Sequence, residues 1–178
     1  MQEIDILILG VEASVALAGF AGIIATFQFR DGKKFSRADA VGLTMIVQFS
    51  LLGALIFAIP LTLLSFGAAQ STTWATTSIL GAIFYVSGMY STHRYLKEVK
   101  KGPSFRLFIL VINIINCLCI ILHLMNALGI VYHREFGPVI FGLTWTLTIT
   151  GLMFSRLLLR PVWRQVRARE AEISNNTG

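Results

Sequence analysis

The sequence predicts an all-α integral membrane protein of five transmembrane helices, N-terminus outside the cell and C-terminus in the cytoplasm. Two observations carry this. First, 55% of the 178 residues are apolar and only 13% are charged, and the mean hydropathy is +0.72. A soluble domain of this size cannot bury so much apolar surface, so lipid must solvate part of it. Second, the charges fall in clusters between long apolar runs. This excludes a soluble enzyme, a nucleic-acid-binding domain and a disordered chain.

The runs are Ile4–Phe29, Ala40–Phe66, Trp74–Tyr95, Leu107–Tyr132 and Pro138–Leu159. Each is long enough for a hydrocarbon layer of about 30 Å, which takes roughly 20 helical residues. The first begins with Glu3 and Asp5 rather than a basic segment. The small-residue triplet Ala16-Leu17-Ala18 is therefore read as part of a span, not as a signal-peptide cleavage site.

Charge placement gives the orientation. The net charge is +6, and fourteen of the fifteen Lys and Arg lie in Arg30–Asp39, Arg94–Arg106 and Arg156–Glu172. The segments Gly67–Thr73 and His133–Gly137 are nearly neutral, so basic and neutral loops alternate as five crossings require. The positive-inside rule then places the basic loops in the cytoplasm. Trp74 and Tyr132 are expected at the outer interface and Trp163 at the inner one. The basic excess reflects topology, and no aromatic residues are interleaved for base stacking, so no nucleic-acid partner is expected.

Residues 1–160 thus form the transmembrane domain, and 161–178 a basic juxtamembrane tail. Arg160, Trp163, Arg164, Arg167 and Arg169 are candidates for lipid-headgroup contact on a short helix starting at Pro161, with the last residues disordered.

Helices in lipid associate through small residues and interhelical hydrogen bonds. The first span repeats Gly10, Ser14, Ala18 and Gly22 and is expected at the centre of the bundle. Ser78, Gly81, Tyr85, Gly88 and Thr92 share a face of the third span, and Thr144, Thr148, Gly151 and Ser155 a face of the fifth; for all three stripes packing within the chain is expected ahead of a pore lining or subunit interface. In the fourth span, Asn113, Asn116, Cys119, His123 and Asn126 lie within about 140° of arc, a face that must look into protein or water. Thr44 and Gln48 form a polar edge on the second span. Pro60 is expected to kink that helix.

Two ionisable groups lie well inside the bilayer. Glu12 is about 10 Å below the outer boundary and His123 about 12 Å, at a rise of 1.5 Å per residue. Both share that layer with Trp145 and Thr146. An intramembrane acid is a functional candidate by default. Glu12 is read as a cation- or proton-binding position, or else as an interhelical hydrogen bond; His123 is read as a structural hydrogen-bonding residue or a proton relay.

The sequence has no HExxH, no Gly-rich phosphate loop and no zinc spacing. Cys117 and Cys119, two apart on a helix, point to different sides. No metal, cofactor or enzymatic activity is expected. The run Val15-Ala16-Leu17-Ala18-Gly19-Phe20-Ala21-Gly22-Ile23, after Glu12 and before a basic loop, resembles the opening of a group of uncharacterised small bacterial multi-span inner-membrane proteins. The resemblance covers mainly the first two spans and the loop Arg30–Asp39; it implies a bacterial inner-membrane setting and brings no activity.

Five helices barely suffice to surround a wet path when one is a packed centre. The expectation is a homo-oligomeric channel or pore for small cations or protons, lined by Glu12, Asn113, Asn116, His123, Asn126 and Gln48. The alternative is a structural or accessory membrane subunit without transport of its own.

Overall fold

The computed structural model describes residues 2–30, 37–98 and 103–176. It is all-helical: α1 (Gln2–Arg30), α2 (Arg37–Ser65), α3 (Gln70–Glu98), α4 (Pro103–Leu128) and α5 (Phe136–Asn176). Four of the five, all but α3, are long and apolar enough to cross a membrane. Residues 31–36 and 99–102, which hold much of the first two basic clusters, lie outside the described residues.

Local chemistry sets the helix ends. Glu3 and Asp5 complement the positive end of α1. Pro103 opens α4, where a missing N–H costs nothing. At the end of α2, Gly67 has φ 79°; its N–H donates to Leu64 O, and that of Ala68 to Leu63 O. At the end of α4, Gly129 has φ 72°; its N–H donates to Asn126 O, and that of Ile130 to Met125 O. Both are Schellman caps, which need a left-handed residue that glycine adopts without strain. The cap at Gly129 stops α4 four residues short of Tyr132, the expected end of the fourth span.

The helices form two hairpins, α1–α2 and α3–α4, joined by contact of α2 with α3. Among the described residues α5 touches all four other helices, whereas α1 touches only α2 and α5 and does not reach α4. The central helix is therefore α5, correcting the expectation for α1. Small residues permit close approach but do not say how many sides are approached. Gly10 sits directly under the Phe57 ring, whereas Ala16, Gly19 and Gly22 are exposed.

The surface is inside-out by soluble standards. Ile8, Leu9, Phe20, Ile23 and Phe27 on α1, and Leu107, Leu110, Ile114, Ile121 and Leu124 on α4, are all exposed. A continuous apolar surface of this kind is a lipid- or protein-facing one. Helix α3 falls short in apolarity because it is rich in hydroxyls; Thr73, Thr77, Ser78 and Thr92 are buried, whereas Ser71, Thr72 and Ser87 are exposed along with Ile79, Ile83, Val86 and Tyr90.

Trp74, near the start of α3, is buried and packs on Phe136, ring centroids 5.0 Å apart. Two further expectations are revised. Helix α5 continues through Pro161 to Asn176, so the tail extends the last helix instead of starting a new one. Good helix formers (Arg, Gln, Ala, Glu) follow the proline and restore the hydrogen-bond ladder. Ser174 to Asn176, expected to be disordered, belong to α5; Thr177 and Gly178 lie outside the described residues.

Candidate functional site

Most of the buried polar groups lie on α3, α4 and α5. His123 on α4 is 2% exposed, and two glycines make room for its ring. A Cβ on Gly81 of α3 would collide with Cδ2 and Nε2, and one on Gly142 of α5 would lie 2.6 Å from Cε1. Tyr85 meets the imidazole edge-on, centroids 5.5 Å apart.

Tyr85 also ties α3 to α5. Its hydroxyl donates to the Gly142 carbonyl and lies 2.8 Å from the Thr146 hydroxyl, which itself donates to Gly142 O at 3.2 Å. One turn above His123 on α4, Asn126 is fully buried and makes three bonds. Its Nδ2 donates to Ser78 Oγ at 2.8 Å and to Glu135 O at 2.9 Å, and the Glu135 N–H donates to Oδ1 at 2.9 Å. Asn126 thus clamps the α4–α5 turn, in which His133 and Arg134 have φ of 50° and 64°. Further along α4, Trp145 Nε1 donates to Asn116 Oδ1 at 2.9 Å. Asn113 Oδ1 and His123 Nδ1 are buried and make no hydrogen bond among the described residues.

Below Tyr85 a cavity of about 30 Å³ is lined by Phe49, Tyr85, Gly88, Thr92, Asn116 and Trp145, among others. It has room for about two waters and is far smaller than a ligand pocket. Among the described residues no three His, Cys, Asp or Glu side chains gather as a metal site would need.

The polar face of α4 does look into protein, and the stripe Ser78, Gly81, Tyr85, Gly88 and Thr92 is buried throughout. The expected common lining with Glu12 is not found. His123, Asn116 and Asn126 are inside one chain, and Glu12 is exposed on α1, which among the described residues does not touch α4. Gln48 is exposed on the outer side of α2, with Thr44. The α5 stripe also departs from expectation, because Thr144, Thr148 and Ser155 are exposed. Arg169 is exposed; the side chains of Arg160, Trp163, Arg164 and Arg167 lie outside the described residues.

Depth was legible even though direction was not. A Cβ on Gly53 of α2 would lie 3.3 Å from Ser14 Oγ and 3.6 Å from Thr146 Cγ2, so α1, α2 and α5 meet in one layer. Phe20 pairs with Phe154 further down, 6.3 Å between centroids, so α1 and α5 run parallel. Glu12 then stands level with Thr144, within about one helical turn of the His123–Gly142 contact.

The direction of Glu12 follows from the burial pattern. Leu7, Gly10, Ser14 and Ala21 are the buried side of α1, and at 100° per residue they lie about 160–220° round the helix from Glu12. Glu12 therefore points directly away from the bundle, with exposed Ala16, Gly19, Ile23 and Thr26 along the same side. Helical periodicity alone puts Ala16, Gly19 and Thr26 on the side of Glu12; the outward direction of that side is defined only by the neighbouring helices.

Comparison of the chain with family models, with curated proteins and with solved structures gives no match.

Proposed function

We propose that this is a five-span bacterial inner-membrane protein that assembles into a homo-oligomeric channel or pore for small cations or protons, with Glu12 in the path between subunits. In this reading all five helices cross, α3 included: Thr73, Thr77, Ser78 and Thr92 are buried, and Ile79, Ile83 and Val86 are among the residues that face out. The N-terminus is outside and the basic loops and tail are cytoplasmic.

The single observation that carries the assembly is the outward direction of Glu12. A carboxyl directed into lipid is costly, and intramembrane acids face protein or a watery cavity. One chain supplies neither at that position, so a neighbouring subunit supplies it. Exposed Ala16 and Gly19 beside it allow a second backbone to come close. The His123 layer has a different part in this reading: it locks α3, α4 and α5 into the rigid wall that carries α1.

The test is proton and monovalent-cation flux into liposomes containing the purified protein. Flux by the wild type, lost or reselected in Glu12→Gln while the oligomer persists, is the expected result. Absence of flux from an intact wild-type oligomer would contradict the channel.

The runner-up is a structural or accessory subunit. The observation favouring it is that Asn126, Asn116 and Tyr85 are engaged in hydrogen bonds within the chain. It predicts no flux in any variant and lower stability in Glu12→Gln.

A further inference from the structure

Two helices present polar and small residues away from the bundle, at one depth. On α1 these are Glu12, Ala16 and Gly19. On α5 they are Thr144, Thr148, Gly151 and Ser155, of which only Gly151 is half-buried. The buried side of α5 (Gly142, Thr146, Ile149, Thr150) lies about 140–240° round from Thr144. Both faces thus point straight outward, and they are different surfaces of the molecule. Because α1 and α4 do not touch among the described residues, the outer face of α5 lies open between them.

We propose that the Glu12 face of one copy packs onto the Thr144–Thr148 face of a second, parallel copy, the Glu12 carboxyl bonding to the threonine hydroxyls there. This rests on the reading that copies assemble through α1, and it names the surface that α1 meets.

Chemical complementarity at fixed depth selects this occupant. The layer Ser14–Gly53–Thr146 puts Glu12 and Thr144 at the same height, and α1 and α5 run in the same direction. Copies related by rotation about the membrane normal keep that height, so a carboxyl on one meets a hydroxyl on the next without vertical shift. Thr148 donates to the Thr144 carbonyl at 2.9 Å, so its oxygen can accept from the protonated form of the Glu12 carboxyl, while the Thr144 hydroxyl can donate to the carboxyl in either form. The alternative polar edge on α2, Thr44 and Gln48, is less well placed. Gln48 follows Ile46, which packs with Ala21 and Leu157, so it lies about two turns deeper than Glu12. Gly19 and Gly151, further down the two faces, leave the backbones free to approach. The contact is heterologous, one surface against a different one, so repetition closes a ring if the rotation allows it.

The experiment co-expresses two full-length chains, one Ala16→Cys and one Thr148→Cys, each with exposed Cys117 replaced by alanine. Membranes are treated with a short bis-maleimide, and the mass of each purified chain in lipid nanodiscs is measured in parallel. The proposal expects a crosslinked dimer from the mixture and at least tenfold less from either chain alone. Thr144→Val should weaken association about 3- to 15-fold, the range set by one interhelical hydrogen bond in a membrane. Equal crosslinking by the Ala16→Cys chain alone would show α1 against α1, overturning the proposal while leaving assembly through α1 in place. An oligomeric mass with no crosslink from the mixture would overturn it likewise. A monomeric mass would overturn both.

Discussion

The imidazole of His123 and the Cα of Gly142 stand so close that a methyl group on the glycine would lie 2.6 Å from Cε1 and 2.8 Å from Nε2. Gly81 closes the other side in the same way. A planar aromatic ring thus fills a slot cut by two glycines on two helices. This contact fixes the spacing of α3, α4 and α5, and with it the outer wall on which α1 and α2 are carried.

Overpacking that slot should be costly. Gly81→Ala and Gly142→Ala are each expected to destabilise the fold by about 1–3 kcal/mol, since close-packed helices cannot move apart freely. His123→Ala should relieve most of that loss in the double variant, because the collision partner is gone. Thermal unfolding in detergent checks it. Additive effects in the double variants would contradict the contact.

Asn126 should matter more than its position at a helix end implies. Asn126→Ala removes three hydrogen bonds and leaves the Glu135 N–H without its acceptor. The expected loss is about 1–3 kcal/mol. Hydrogen exchange at the Glu135 amide should accelerate in the variant while the middle of α4 stays protected. Unchanged exchange at Glu135 would show that the clamp is not formed.

The crossing of α3 can be read with a membrane-impermeant thiol reagent. Gln70 at its start and His93 near its end are both exposed. Gln70→Cys is expected to label from outside the cell and His93→Cys only after the membrane is opened. Labelling of both from one side would reduce the spans to four and put the termini on the same side.

These cases separate what the sequence reveals from what it conceals. Hydropathy located all five helices, because in lipid the length and apolarity of a run are themselves the structural constraint; α3 alone falls short of that constraint among the described residues. The polar face of α4 was legible in part for a related reason: five polar residues on one side of an apolar helix must face protein or water, but that the protein is the same chain only the packing of α3 and α5 shows. The stripe Ser78–Gly81–Tyr85–Gly88–Thr92 followed the same logic. The small-residue stripes of α1 and α5 did not, because small residues pack equally well against a helix of the same chain or of another. Nothing in Ala16 or Thr148 states which. Likewise, rise per residue set the depth of Glu12 near the layer of Thr146, but its direction depends on the placement of α2 and α5. The passage of α5 through Pro161 was hidden because one proline outweighs its neighbours in a local reading.

The central claim, that the outward carboxyl of Glu12 requires a second subunit, is tested most directly by the mass of the purified protein in a lipid nanodisc. Native mass spectrometry should show a closed assembly of several copies, with a smaller species accumulating in Thr144→Val. A single copy per nanodisc at concentrations where the protein is folded would contradict the account, and Glu12 would then have to face lipid or a different protein.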